Sequence, residues 1–331
     1  MRAAVWHGGE HLTLEERPVP APAANEVLVK VAACGICGTD VHIIEDKFPL
    51  YPPPRVIGHE YTGTAAAVGS GVTKVRPGDR VVVEPGYTCG DCYFCRQGRE
   101  NLCERRIVHP GGFAEYTCVP ERLVHLLPEG VSFEMGALAE PLACALHAWD
   151  LAALPSGARI GILGGGGVGL LLTQLALHSG AVKVILSEPR EHRRAVAKQL
   201  GAIAVDPMRE DLPAILREET DGLGPEVVFE AVGHPALLTQ ALEFVQRGGT
   251  VVEVGVADPA ARATIRPYLL FEKELTLRGS HMRPHTFHRA VRWLPRLTLA
   301  PLLGLEFPLG ETLEAIRSQR EGKGIKIVVK P

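Results

Sequence analysis

The chain has 331 residues, of which 46% are apolar and 22% charged. A single hydrophobic core stops growing at about 250–300 residues, so two domains are expected, and these proportions exclude a disordered chain or a coiled coil. Thirty-five basic against 38 acidic side chains leave a formal charge of -3, with no block of like charge to serve as a nucleic-acid-binding arm.

The opening Met1-Arg2-Ala3-Ala4-Val5-Trp6-His7 lacks the apolar stretch of about 7–15 residues that a signal peptide needs, so a cytoplasmic location is expected. Residues 1–145 alternate short β-rich runs, such as Glu26 to Val31, Thr62 to Val68 and Asp79 to Glu84, with Gly/Pro turns. That pattern predicts a β-rich, partly closed barrel. From Ser156 the pattern changes: apolar runs at Arg159 to Leu163, Val182 to Ser187, Glu226 to Glu230 and Thr250 to Val254 alternate with helical stretches. This predicts an α/β domain with a doubly wound parallel sheet over about 146–279, its last strand at Glu274 to Gly279. Residues 280–331 carry two helix-like segments and a final strand, Ile325 to Val329, expected to return to the first domain. The uncharged run Ile160 to Leu177 is long enough to span a membrane. Five of its six glycines lie between Gly164 and Gly169, however, which reads as strand, tight turn and helix start.

Eight cysteines in a reducing compartment call for metal or catalysis before disulfides. Cys89, Cys92, Cys95 and Cys103 form C-x2-C-x2-C-x7-C, and four thiolates this close suit a closed tetrahedral zinc site, structural because no position remains open. An iron-sulfur cluster also takes four thiolates, but its usual spacings differ and no Pro follows Cys103. Cys34 and Cys37 form a C-x-x-C pair, which could serve thiol-disulfide exchange at a helix start in a thioredoxin-type domain, a poor match to a β-rich one.

Gly164, Gly166 and Gly169 satisfy G-x-G-x-x-G, with Gly167 and Val168 inside it, directly after an apolar strand. Glycine permits the turn and lets the backbone approach a pyrophosphate, at which the helix N-terminus then points. Glu188 follows Gly169 by 19 positions at the end of the next strand, where a carboxylate binds the ribose hydroxyls of NAD and repels the extra phosphate of NADP. Arg190, Arg193 and Arg194 argue the other way, since Arg near this point can pair with that phosphate. Arg190, His192, Arg193 and Arg194 read as a solvated helix start, so NAD is expected.

With Gly35-Ile36-Cys37-Gly38-Thr39-Asp40-Val41-His42, Gly58-His59-Glu60, the four-cysteine lobe, Glu140-Pro141-Leu142 and the Gly-rich turn in this order, the whole chain resembles the zinc-dependent medium-chain alcohol dehydrogenases, in their sorbitol and threonine dehydrogenase branch. The resemblance implies a GroES-like β-rich catalytic domain beside the Rossmann domain, and a homodimer or homotetramer. It makes Cys37, His59 and Glu60 ligands of a catalytic zinc, with Glu140 in the place of the remaining protein ligand, directly or through water. Two zinc ions per chain follow. It also makes Thr39 and His42 a proton relay, and leaves Cys34, Cys118 and Cys144 as buried non-ligands.

The implied reaction is oxidation of a secondary alcohol to a ketone, with hydride passing to the nicotinamide between the domains. Val83-Glu84-Pro85-Gly86 and Glu140-Pro141-Leu142 favour a polyol such as sorbitol. Ile43 and Met282-Arg283 depart from the sorbitol pattern near the expected substrate pocket, which keeps threonine and other secondary alcohols in view. A non-enzymatic NAD-binding zinc protein would be expected to lack Cys37, Thr39, His42, His59 and Glu60, yet all are present. The stretch carrying His281, His285 and His288 contains no acid of its own and is interrupted by Pro284, so it is read as polar surface or pocket rim.

Overall fold

The computed structural model describes residues 1–47, 52–109, 111–154 and 156–331. It divides into two compact units: Met1–Ala143 with Pro284–Pro331, and Cys144–Arg283.

The first unit is built on a sheet in the order Val124–Leu126, Arg80–Val83, Glu60–Val68, Glu26–Gly35, Lys326–Lys330, Leu303–Pro308, with Tyr116–Pro120 also pairing Glu26–Gly35. Strand Glu26–Gly35 is central because alternate apolar side chains, Val27, Val29 and Val31, fill the core with Val81, Val83, Val119 and Ile327. The C-terminal strand returns antiparallel to it, setting Val328 opposite Gly35 and Val329 opposite Cys34. Two short strands, Gly86–Tyr87 and Ile107–Val108, pair antiparallel at the base of the cysteine lobe, so the lobe is the loop of a hairpin.

The second unit is a six-stranded sheet in the order Ile203–Val205, Lys183–Ser187, Arg159–Leu163, Val227–Glu230, Thr250–Glu253, Thr276–Gly279. Every adjacent pair in it is parallel. Numbered along the chain this is 3-2-1-4-5-6, the dinucleotide-binding order whose ligand crevice lies at the carboxyl ends of the strands. The uncharged run of the sequence resolves into strand Arg159–Leu163, the glycine turn and helix Gly167–His178. Among the described residues no helix is long and apolar enough to cross a membrane.

Two carboxyls end adjacent strands of this sheet, Glu230 opposite Glu253. Glu230 is fully buried and accepts backbone N–H groups from Val232, Gly233 and His234 at 2.8–3.4 Å, which favours the anion on Glu230 relative to its neighbour. Burial and then the Glu230 charge push Glu253 up to about 8. A carboxyl whose folded pKa is raised contributes stability at low pH, and that contribution is lost as pH rises from its unfolded value towards 8. Glu253→Gln should therefore be more stable than the parent at pH 8, by about 1 kcal/mol for a half-exposed group, with a smaller difference at pH 5. Melting temperatures of both proteins at the two pH values check this.

Candidate active site

Cys37 directly precedes the short helix Gly38–Ile44, whose first turn carries Asp40. The fully buried Asp40 sits three residues on, the spacing at which a carboxylate reaches back to the start of a helix. Its Oδ2 accepts the Cys37 backbone N–H at 2.9 Å, while Oδ1 lies 3.5 Å from His59 Nδ1. One carboxylate thus locates a thiol and an imidazole from two different segments. Burial opposes a charge on His59, but the Asp40 carboxylate outweighs it and lifts the imidazole well above its ordinary pKa. A metal binding there must displace that proton.

Glu60 opens the strand Glu60–Val68 and is 1% exposed. Its Oε2 accepts a hydrogen bond from Lys326 Nζ, an ammonium that also donates to the Ile36 carbonyl at 3.1 Å. Burial works against the Lys326 charge, yet Glu60, then Cys37, hold its pKa above the ordinary lysine range. The second oxygen, Oε1, is buried without a hydrogen-bond partner among the described residues. One donor atom each from Cys37, His59 and Glu60 falls within 4.8 Å of the others. A thiolate, an imidazole and a carboxylate with an orphaned oxygen form the donor set of an open zinc site. Glu140, 6% exposed in the first turn of helix Ala139–Ala152, stands outside that set of three, although its charge acts on both Glu60 and Lys326. Thr39 Oγ1 is 3.6 Å from the Cys37 sulfur, and His42, three residues on, shares its helix face with Nδ1 buried and unpartnered among the described residues.

Four sulfurs form the second cluster, Cys89, Cys92, Cys95 and Cys103. Their separations include 3.9 Å for Cys89–Cys95 and 3.5 Å for both Cys92–Cys95 and Cys89–Cys103. A tetrahedron of sulfurs about 2.3 Å from a central zinc has edges of about 3.8 Å, so the residues present fit that ion. The backbone N–H groups of Cys95 and then Glu104 pull the Cys92 thiol down to about 6, towards the thiolate a metal requires.

In the second unit Gly164 has φ +109, and a Cβ on it would come 2.6 Å from Val232 Cγ2. A Cβ on Gly169 would come 1.9 Å from the Gly164 carbonyl oxygen, so helix and turn meet only without a side chain there. Gly166 precedes the helix with no side-chain cap, leaving the first N–H groups of Gly167 and Val168 to a ligand. These residues fit a bound pyrophosphate. Glu188, 3% exposed, accepts the Gly165 N–H on Oε2 and the Arg190 N–H on Oε1, both at 2.9 Å.

The arginines correct a sequence expectation. Arg193 and Arg194 are 8% and 7% exposed rather than solvated, because their guanidinium groups turn inward. Arg193 Nη1 lies 3.7 Å from Glu188 Oε2, and Arg194 donates to the carbonyls of Glu188 and Pro189 and pairs with Asp206 at 3.0 Å. Cys118 and Cys144 are likewise half-buried rather than buried, and only Cys34 of the three is enclosed. His281, His285 and His288 are exposed.

Residues 23–129 match the family model of the alcohol dehydrogenase GroES-like domain, and residues 167–296 match that of zinc-binding dehydrogenases. This chain belongs to the zinc-dependent medium-chain alcohol dehydrogenases. The dehydrogenase is 34% identical to sorbitol dehydrogenase of Gallus gallus over 347 residues, covering 99% of this chain and 96% of the relative. It is 33% identical to D-arabitol-phosphate dehydrogenase of Enterococcus avium over 333 residues, covering 97% and 94%. A zinc-binding dehydrogenase of Sinorhizobium meliloti 1021 solved with NADP has a TM-score of 0.95 at 34% identity, covering 100% of this chain and 99% of that one. The dehydrogenase is therefore an oxidoreductase that works with zinc and a nicotinamide cofactor.

Sequence reasoning assigned no role to Asp40 or Lys326. Asp40 could have been found from its capping distance to Cys37. Lys326 carried a weaker signal, a cation inside the apolar strand Ile325 to Val329, and nothing local tied it to Glu60. Lys326→Met leaves the buried Glu60 carboxylate without its cation, and should cost about 3–5 kcal/mol in zinc-stripped protein. Chemical denaturation of the two stripped proteins, followed through the first unfolding transition, measures the difference.

Proposed function

We propose that this dehydrogenase oxidises a secondary hydroxyl of a polyol such as sorbitol and prefers NAD. The observation that carries the reading is the donor set Cys37, His59 and Glu60, with a partnerless Glu60 oxygen, in a chain that also builds the dinucleotide sheet. These three residues, with Glu140 as the further protein group, would hold a zinc ion that supplies Lewis acidity towards a substrate hydroxyl, and the Gly-rich turn would hold a nicotinamide cofactor able to take up hydride. Asp40 orients His59 by its Nδ1 side, as carboxylate partners of metal-binding imidazoles do. Thr39 takes the hydroxyl proton and passes it towards His42, an imidazole able to accept a proton and hand it on. Cys89, Cys92, Cys95 and Cys103 hold a second zinc that stabilises the lobe.

The test is zinc content and turnover together, on a panel of sugar alcohols, hydroxy amino acids and simple secondary alcohols. The parent should carry about two zinc per chain and turn over a polyol best. Cys37→Ser should lose at least about 100-fold in turnover with melting temperature retained, whereas Cys95→Ser should lower the melting temperature. Full activity in Cys37→Ser without zinc at that site, or a parent that prefers threonine, would overturn the assignment.

The cofactor preference rests on Glu188. Two backbone N–H groups fix its carboxylate, which favours ribose hydroxyls and repels a 2′-phosphate, and the nearby Arg193 has its charge offset by the same carboxylate. The NADP-bound Sinorhizobium relative keeps the opposite choice in view. Removing the carboxylate in Glu188→Ala should lower the NAD-to-NADP ratio of kcat/KM at least about tenfold. An unchanged ratio, or a parent that prefers NADP, would assign the choice to the arginine.

Association of copies into a homodimer or homotetramer is supported by the sheet edge at Thr276–Gly279, where Leu277 is exposed, and by the exposed Tyr268 and Phe271 of helix Pro267–Lys273.

A further inference from the structure

Within the first unit, a pocket has His59, Asp40, Ile43, Arg55, Pro85 and His109 among its lining residues. The pocket therefore joins one member of the proposed zinc set to a second histidine that the mechanism above does not use.

His109 follows the strand Ile107–Val108, whose Ile107 pairs with Tyr87 of Gly86–Tyr87 across the hairpin. The imidazole stacks on the Tyr87 ring with centroids 5.2 Å apart and planes inclined by 28°. The Arg122 guanidinium lies 3.4 Å from the centroid of the same tyrosine. The Tyr87 ring, itself packed against Arg122, thus fixes the orientation of the imidazole. Its Nε2 is buried and has no hydrogen-bond partner among the described residues. Burial outweighs the opposing Glu26 charge and, with the Arg122 charge, lowers its pKa, which favours a neutral ring with one N–H donor and one acceptor nitrogen. A buried polar nitrogen without a partner costs stability unless a ligand or water supplies one. Ile43 and Pro85, which line the same pocket, offer only apolar surface.

We propose that His109 binds a second hydroxyl of the substrate, so that this pocket selects polyhydroxylated alcohols over monohydric ones. The inference rests on the polyol reading above and assigns the residue that enforces it. A molecule whose reacting hydroxyl lies at His59 reaches His109 only if it carries another polar group along the carbon chain. A polyol supplies that group at each carbon, whereas a monohydric alcohol leaves Nε2 unpaired and loses its affinity there. Discrimination of this kind, by leaving a site's polar group without its partner, is stronger than discrimination by apolar fit.

The test uses the zinc-loaded full chain with the best polyol of the panel, with 2-butanol, and with the variants His109→Phe and His109→Asn. Phenylalanine keeps the stack on Tyr87 and removes the hydrogen-bonding nitrogen, and asparagine restores a donor and an acceptor. The ratio of kcat/KM for the polyol to that for 2-butanol should fall at least about tenfold in His109→Phe, chiefly through KM for the polyol, and should recover in part in His109→Asn. If the parent oxidises the polyol and the ratio stays within about twofold in both variants, the inference is overturned while the polyol reading stands. A parallel loss for both alcohols in His109→Phe, without recovery in His109→Asn, would show a structural role and also overturn it. A parent inactive on every polyol would overturn both.

Discussion

The buried ion pair of Lys326 and Glu60 is the constraint on which the catalytic unit depends. It joins the last strand of the chain to the strand that opens at Glu60, and the same ammonium caps the Ile36 carbonyl next to Cys37. Burying two charges is expensive, and geometry must repay it through mutual attraction and further hydrogen bonds. Here the repayment lies in the position of Glu60: one oxygen is held by the lysine, and the other has no hydrogen-bond partner among the described residues. A chain that lacked its final strand would leave the Glu60 carboxylate buried and unpaired.

Asp40 plays the corresponding part on the other side of the donor set. Its two oxygens face the Cys37 N–H and the His59 imidazole, so the thiol and the imidazole are placed by one group that is itself inaccessible to water. Two charged residues outside the metal set, Lys326 and Asp40, thus hold its three members. Groups of this kind set the orientation and basicity of ligands as strongly as the ligands' own backbone does.

The dinucleotide unit solves a different problem with backbone. Gly164 and Gly169 are required where a Cβ would strike Val232 and the Gly164 carbonyl, and the space they leave lies at a helix N-terminus. Glu188 closes over the Gly165 N–H, so the carboxylate proposed above to meet the ribose also pins the turn. The inward-facing Arg193 and Arg194 belong to this arrangement, and their burial follows from the carbonyls and acids around them rather than from their own hydropathy.

The cysteine lobe and the glycine turn were legible because their chemistry is local. Four thiolates within 15 residues, or three glycines within six, bring their atoms together by chain connectivity, and the spacing alone restricts what they bind. The alternation of strands and helices in the second unit was legible for the same reason, since its periodicity is a local property. Cys37, His59 and Glu60 came from motifs whose convergence the sequence could imply only by resemblance. Glu60 and Lys326 are 266 positions apart, and no pattern near either residue names the other. Tyr87, His109 and Arg122 likewise meet only because a hairpin and a following segment pack together. The sequence by itself determined which residues could ligate a metal or cradle a phosphate. Only the tertiary structure decided which charges would be paired, which arginines would be buried and which polar atoms would be left without a partner, because each depends on contacts between segments remote along the chain.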